Sequence, residues 1–543
     1  MKINIFKFML VGLLIACATF YSCSSDDELT APRLFRPLAK LTTTNNNITV
    51  KWDLIKDASS YEVAISKDSF KTTLSTVSTT LNSYTFENVE WDETYQVKIK
   101  ALSTTTGNSE VYDCDEISVT YPTVLNKITE VIDVAAKVSW KVPAEYSAFE
   151  ILKKNDNNDE YSPVDTISIS SEELTNLTKT VYNLNASTSY RIIAFSGSAD
   201  NYQYQGRQDF KTAAAENYGS NMVDLRSLSD SEASGYITSA FLASLQDGCT
   251  VVLKGGCTYT ILGNTEITKG VKFVTGQTLA GNATFLVNGF IFNASDISDI
   301  SFKKLDLLTA GDKTTANFGG KYIFNANLKS NVNSLSFEDC NIKYMRGIIR
   351  LQSQPSIIKS LTIDKCIMDS IGGYGIANTD IEDSQFNNVV ISNSTISHAE
   401  KTLVNTKSKN GFGSVTINDC TFAYCSKTTN KLFDFGTKTT LNVGLQFQAT
   451  NCLFGTSFTG AATNGISCSG TDSSIRFTNC FKTADLTWIL DATGTFAAYP
   501  LPADVMNYSN NTTDLWVNPA AGDFSFKDSS FAGISTTGDP RWR

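Results

Sequence analysis

The 543-residue chain holds one histidine, His398, and only 10 prolines. With so little histidine a zinc centre has no ligand set to draw on, because no cysteine pair at ligand spacing has histidine beside it. No metal site is assigned. Charged residues make up 18% of the chain and leave a net charge of -10, so the basic footprint that nucleic-acid binding requires is missing. An acidic polysaccharide is not excluded on that ground, since a local basic patch is enough to hold one. Past the N-terminus no apolar run reaches the about 20 residues that a membrane-spanning helix needs. What is abundant instead is Thr, Ser, Asn and aromatic residue, with apolar positions in short runs of period two. That pattern predicts all-β architecture, and the length predicts several domains.

The first residues read as a targeting segment. Lys2 and Lys7 precede the apolar run Phe8 to Ala18, which ends in Phe20-Tyr21-Ser22-Cys23. This resembles a lipobox, which implies a signal peptide over 1–22 and a lipid on Cys23 that anchors the chain in the outer membrane. Ser24-Ser25-Asp26-Asp27-Glu28, within an acidic linker over 23–31, resembles the export signal of Bacteroidota surface lipoproteins and implies exposure outside the cell.

Residues 32–121 carry alternating strands, Ile48-Thr49-Val50-Lys51-Trp52 and Tyr61 to Ile65, then Val89 followed by Tyr95, Val97, Ile99 and Ala101. Residues 122–213 repeat the unit: Trp140 answers Trp52, Phe149 and Ile151 answer the second strand, and Leu184 with Tyr190, Ile192 and Ala194 answers the last. The two copies resemble fibronectin type III sandwiches with their corner tyrosine, modules that usually act as spacers.

The rest, 214–543, is a solenoid. Ser234 to Leu245 has helical spacing and predicts a short helix capping the open end. Asp247-Gly248-Cys249 to Leu253, then Gly255-Gly256-Cys257-Thr258-Tyr259, resembles the opening coil of pectate-lyase-like right-handed parallel β-helices. A unit then recurs: Leu335-Ser-Phe337-Glu-Asp-Cys340-Asn-Ile342, Leu361 to Met368, Val389 to Ile396, Val415 to Phe422, Phe447 to Phe454 and Ile475 to Lys482. Each reads as strand, bend, strand, with Asp or Asn suited to a left-handed bend. Stacking the copies predicts a buried file of Cys340, Cys366, Ser394, Cys420, Cys452 and Cys480, packing as small hydrophobes. Disulfides between Cys249 and Cys257, or between file neighbours, stay open.

The file also serves as a ruler. Four residues past it stand Tyr344, Ser370, His398 and Tyr424; six past it stand Arg346, Gly372, Glu400 and Ser426. The fifth positions are mostly apolar, so the fourth and sixth are expected to face outward. Tyr344, Arg346, His398, Glu400 and Tyr424 then form a candidate glycan-binding patch of aromatic faces, a cation and titratable groups. A second face holds Arg350, Gln352, Asn405, Lys407 and Asp434. In the pectate-lyase family an Arg or Lys removes the proton next to a uronate carboxylate, often with calcium, so the resemblance makes Arg350 and Lys407 the candidate catalytic residues of a polysaccharide lyase. No acidic cluster on consecutive coils supports calcium, which stays an alternative to no cofactor. Asn378-Thr379-Asp380 matches one short polygalacturonase motif, but the family's other motifs are missing. The expected function is engagement of extracellular polysaccharide, acidic or pectic, by binding rather than cleavage, with an outer-membrane glycan importer as a further candidate partner. Lyase activity and a structural or adhesive surface role are the alternatives.

Overall fold

Apolar alternation interrupted at fixed points makes strands that turn and resume, and the chain follows that rule for most of its length. The computed structural model describes residues 32–158, 160–427, 430–436, 444–460, 462, 464–468, 473–487, 498–499 and 504–543. Cys23 and the acidic stretch lie outside them. Among the described residues no helix is long and apolar enough to cross a membrane.

The chain divides into two compact units. One holds the chain up to Thr129 with Val138–Thr180 and Ser189–Lys211; the other holds Glu130–Lys137, Val181–Thr188 and Thr212–Arg543. The first sandwich pairs a three-stranded sheet (Ala39–Thr44, Asn47–Trp52, Ser83–Phe86) with a sheet built on Ser60–Ser66 and Glu93–Leu102. Trp52 and Tyr61 pack in its core at 5.2 Å, and the Tyr95 hydroxyl donates to the Glu90 carbonyl at 3.1 Å, closing the corner. The second repeats the plan, with Ala148–Lys154 between Tyr161–Ser168 and Ser189–Ser196 and Trp140 against Phe149.

The solenoid is a parallel β-helix of three sheets. One coil shows the design: Asn331–Glu338 lies in the first sheet, Asn341–Met345 in the second and Gly347–Leu351 in the third. The repeats stack in the register read from the sequence, Leu335 on Leu361, Val389, Val415, Phe447 and Ile475, and Ile300 stands before Leu335 in the same column. The bend before the file is left-handed throughout: φ is 53° at Asp339, 48° at Asn393, 52° at Asp419, 54° at Asn451 and 49° at Asn479. Short polar side chains lower the cost of that conformation. Lys365 adopts it too, without that help.

The file is buried as expected. Each thiol donates to a carbonyl of the coil before it, Cys340 to Phe302 at 3.4 Å, Cys366 to Phe337 at 3.5 Å and Cys420 to Ile391 at 3.6 Å. The described cysteines, Cys249 and Cys257 included, are free. Burial pushes the Cys452 thiol well above its ordinary range.

The helix expected over Ser234 to Leu245 is confined to Ser239–Ser244, and a separate short helix, Asp230–Ser234, precedes it. Gly235 ends the first, and the Thr238 side chain accepts from Phe241 N to start the second. A terminator and a new N-cap inside the run outweigh its helical spacing. Ile237 and Leu242 still bury themselves on the first coils.

At the other end the chain turns back on itself. Leu515, Trp516, Phe524 and Phe531 pack on Ala423, Leu453 and Phe481 of the second sheet. The last residues then staple four successive coils: Gly538 N to Asn451 O, Arg543 to Asp419, Asp539 to Thr395 and Arg541 to the Lys365 carbonyl. Gly538 sits at φ +80° with Thr421 Oγ1 2.8 Å from where a Cβ would be, so only glycine fits there.

Two outcomes follow. A thiol reagent applied to the native protein leaves Cys340, Cys366, Cys420, Cys452 and Cys480 unlabelled, and denaturant exposes them all; native labelling of any one, mapped by mass spectrometry, contradicts the buried file. Asp539→Ala strips the Thr395 hydroxyl and Arg541 of a buried acceptor and costs about 2 kcal/mol, read as a lower denaturation midpoint.

Candidate functional site

The site begins with a backbone oddity. Tyr344, Ser370, His398 and Tyr424 have φ of 60°, 59°, 48° and 53°, so each of these coils carries a left-handed residue at or next to the end of its second-sheet strand. Bulky residues avoid that region at a cost of roughly 1–2 kcal/mol each, and such strain gathers where function holds it. The conformation points these side chains outward between buried neighbours, Met345, Ile371 and Ala399 being fully buried. The sequence reading thus has the direction right for a different reason: the turn here is a kink, not continued alternation.

His398 is tightly oriented. Its Nδ1 lies 2.8 Å from Asp369 Oδ1, and a carboxylate can only accept, so Nδ1 is the donor of that bond. The imidazole stacks on Tyr424 with centres 4.8 Å apart and planes 2° from parallel, and Phe458 meets it edge-on at 6.4 Å. Burial alone would raise the Asp369 carboxyl, but hydrogen bonds from His398, Ser397 and Ser370 outweigh it and hold the group below the ordinary carboxylate range. Burial, with Asp485 nearby, pushes the Tyr424 hydroxyl up.

A cationic cluster lies where the second sheet hands over to the third. Tyr322 and Tyr374, 5.6 Å apart, meet at 71°. The guanidinium of Arg346 sits 4.8 Å from the Tyr374 ring centre and that of Arg350 4.0 Å from it, each also 5.8 Å from Tyr322. Arg350 Nε donates to Asp380 Oδ2 at 3.0 Å, and Lys407 Nζ reaches Asp380 Oδ1 at 3.3 Å. Arg346 has no such partner: its Nε is buried without a hydrogen bond, and no ion pair to it occurs among the described residues. Three cations thus cluster around one carboxylate that pairs with only two of them, on a chain of net charge -10. Glu400 does not cancel the excess, because it pairs with Lys427 at 2.7 Å.

The residues read from the sequence are thus distributed over neighbouring contacts rather than one flat patch. His398 and Tyr424 stack; Arg346 joins Arg350 and Lys407; Glu400 leans over Gly373, whose Cβ would lie 3.6 Å from its carboxylate. Tyr344 meets Phe318 at 5.9 Å and Lys313 at 5.2 Å, both from the excursion after the preceding coil's second-sheet strand. Ser426, expected outward, is buried. Asn405 is also buried rather than outward: it accepts from Thr379 Oγ1 at 2.9 Å and donates to Ser408 O at 3.0 Å, and the residue in register with Arg350 through Asn378 is Val404. Tyr322, Tyr374 and the pairing role of Asp380 are not read from the sequence. Tyr374 follows a Gly-Gly pair between strands and Asp380 follows a strand, so neither belongs to the repeat; the lone Asn378-Thr379-Asp380 match is the one signal touching them.

The arrangement suits an anion better than proton abstraction. The Arg350 side chain is 17% exposed, pressed between rings and carboxylate, with little of it open to a substrate proton. Among the described residues no group of three His, Cys, Asp or Glu is placed to hold a metal ion.

Residues 257–399 match a domain of unknown function (DUF4957), and residues 415–542 match another (DUF5123). The seam between them crosses continuous sheets, Gln385–Ser392 pairing in parallel with Gly411–Asn418, and the site straddles it. No curated protein matches the chain. Among solved structures it is similar to the FN1-FN3 domains of chicken CNTN1, at 19% identity over 34% of this chain and 68% of that one, TM-score 0.15. It is likewise similar to a two-domain fibronectin type III segment of chicken tenascin, at 12% identity over 33% and 99%, TM-score 0.17.

Because the Asp369 carboxyl is lowered on folding, its contribution is complete above about pH 4 and lost as pH falls through the lower folded value. The stability gap between wild type and Asp369→Asn is expected to hold near neutrality and close below about pH 4; a gap unchanged at low pH in denaturation series contradicts the assignment.

Proposed function

We propose that this chain is a lipid-anchored surface protein that binds an acidic extracellular polysaccharide without cleaving it. Sandwich modules followed by a β-helix are consistent with a binding or adhesive surface protein. The lipobox and acidic stretch support the anchor at Cys23 and exposure at the outer membrane, where a glycan importer would be a natural recipient of the bound polymer. The observation that carries the reading is Arg346, a guanidinium held against two tyrosine rings with a buried Nε and no carboxylate of its own. Burial closes that Nε to a ligand, so a carboxylate or sulfate ester of a glycan would pair with the terminal N–H groups of the guanidinium. Tyr374 and Tyr322 add apolar ring surface beside it.

Native gels containing polygalacturonate, alginate, a sulfated polysaccharide or a neutral glucan test this. At least one acidic polymer retards the wild type, the neutral one does not, and added salt weakens the effect. Arg346→Ala lowers affinity by roughly tenfold to a hundredfold, the worth of a charge-assisted hydrogen bond. Retardation by no polymer moves the adhesive reading ahead, and an ultraviolet-absorbing unsaturated product from any polyuronate, with or without calcium, establishes a lyase instead.

A further inference from the structure

The left-handed column on the second sheet has one small member. Tyr344, Ser370, His398 and Tyr424 occupy successive coils, their flanking residues paired in register and their backbones in the same conformation. Their side chains therefore leave the coil in the same direction. Where two large members are adjacent, they stack: His398 and Tyr424 lie 4.8 Å apart and parallel, which is the spacing of the coils themselves. Tyr344 and His398 are separated by two such steps, about 10 Å, with Ser370 the column member between and the Asp369 carboxylate of the same coil beside it, bonded to His398. The Ser370 hydroxyl is folded aside onto Asp369 Oδ2 at 2.9 Å. Tyr344 is backed by Phe318 and Lys313, and His398 by Tyr424.

We infer that Ser370 is the floor of a slot one coil wide that takes a single pyranose ring of the polysaccharide, stacked between Tyr344 and His398. A ring placed there lies about 4.8 Å from each wall, the separation at which the protein stacks its own rings. Its edge faces the next column, where Arg346 offers a donor and the Glu400 carboxylate over Gly373 an acceptor for hydroxyls. The slot explains why strain is held at Tyr344 and His398 while the member between them is kept small. It rests on the polysaccharide-binding reading but is separable from it.

Ser370→Tyr fills the slot with a residue that the same backbone conformation already carries at Tyr344 and Tyr424. In gels containing polygalacturonate, or alginate where that is the polymer bound, it is expected to weaken retardation at least tenfold. Thr362→Tyr, the same bulk on the outer face of the first sheet, leaves retardation unchanged. His398→Ala and Tyr344→Ala, which remove a wall without adding bulk, each weaken it at least fivefold and cover the case in which Ser370→Tyr misfolds, checked by its thermal midpoint. Wild-type affinity in a folded Ser370→Tyr, or in both wall variants, overturns the slot while the effect of Arg346→Ala still stands for the anion site. No retardation of the wild type by any polymer overturns both.

Discussion

In-register parallel stacking is the constraint from which the rest of the solenoid follows. Each residue is held one strand spacing, about 4.8 Å, from its counterpart on the next coil, and the left-handed bend before the file repeats on coil after coil. Position within a coil therefore becomes a column along the molecule. Inside, columns must hold what packs on itself, and the file satisfies this with thiols small enough to stack and able to donate to a carbonyl of the neighbouring coil. Outside, a column is free to change chemistry from coil to coil, and that freedom is where a site can be written.

The cationic cluster shows how such a site avoids self-cancellation. Asp380 meets Arg350 and Lys407, and Lys427 meets Glu400, so the local charges are mostly matched at short range. Arg346 alone faces rings instead of a carboxylate. Rings hold a guanidinium by its π face and leave its in-plane N–H groups for a partner of opposite charge. The two family matches end and begin between these residues, with Arg346, Arg350 and Asp380 in one and Tyr424 and Lys427 in the other. The candidate surface is therefore a property of the joined coils, not of either segment.

Much of this is legible in the amino-acid sequence, and the reason is periodicity. The buried file, the register and the outward columns all repeat, so one copy teaches the next. What escapes is whatever occurs once. Tyr322 opens a third-sheet strand after a long excursion, Tyr374 stands in a turn and Asp380 ends one strand's run; none has a counterpart to align with. Asn405 is misplaced by the sequence pattern because the third-sheet strands are short and their offset from the file varies, so the ruler that serves the second sheet slips there. The split cap is hidden because helical spacing says nothing about where Gly235 and Thr238 interrupt it. The return of the C-terminal segment is equally invisible, since its contacts join residues as distant as Lys365 and Arg541.

That return has a consequence in time. A chain is made from its N-terminus, and coils can stack as they emerge, each resting on the one before. The residues that tie four of those coils together, Gly538 to Arg543, are made after every coil they join. The solenoid is thus assembled unlatched and fastened only after its coils are made, so a product cut short before Gly538 would carry nearly every coil and still lack its clasp.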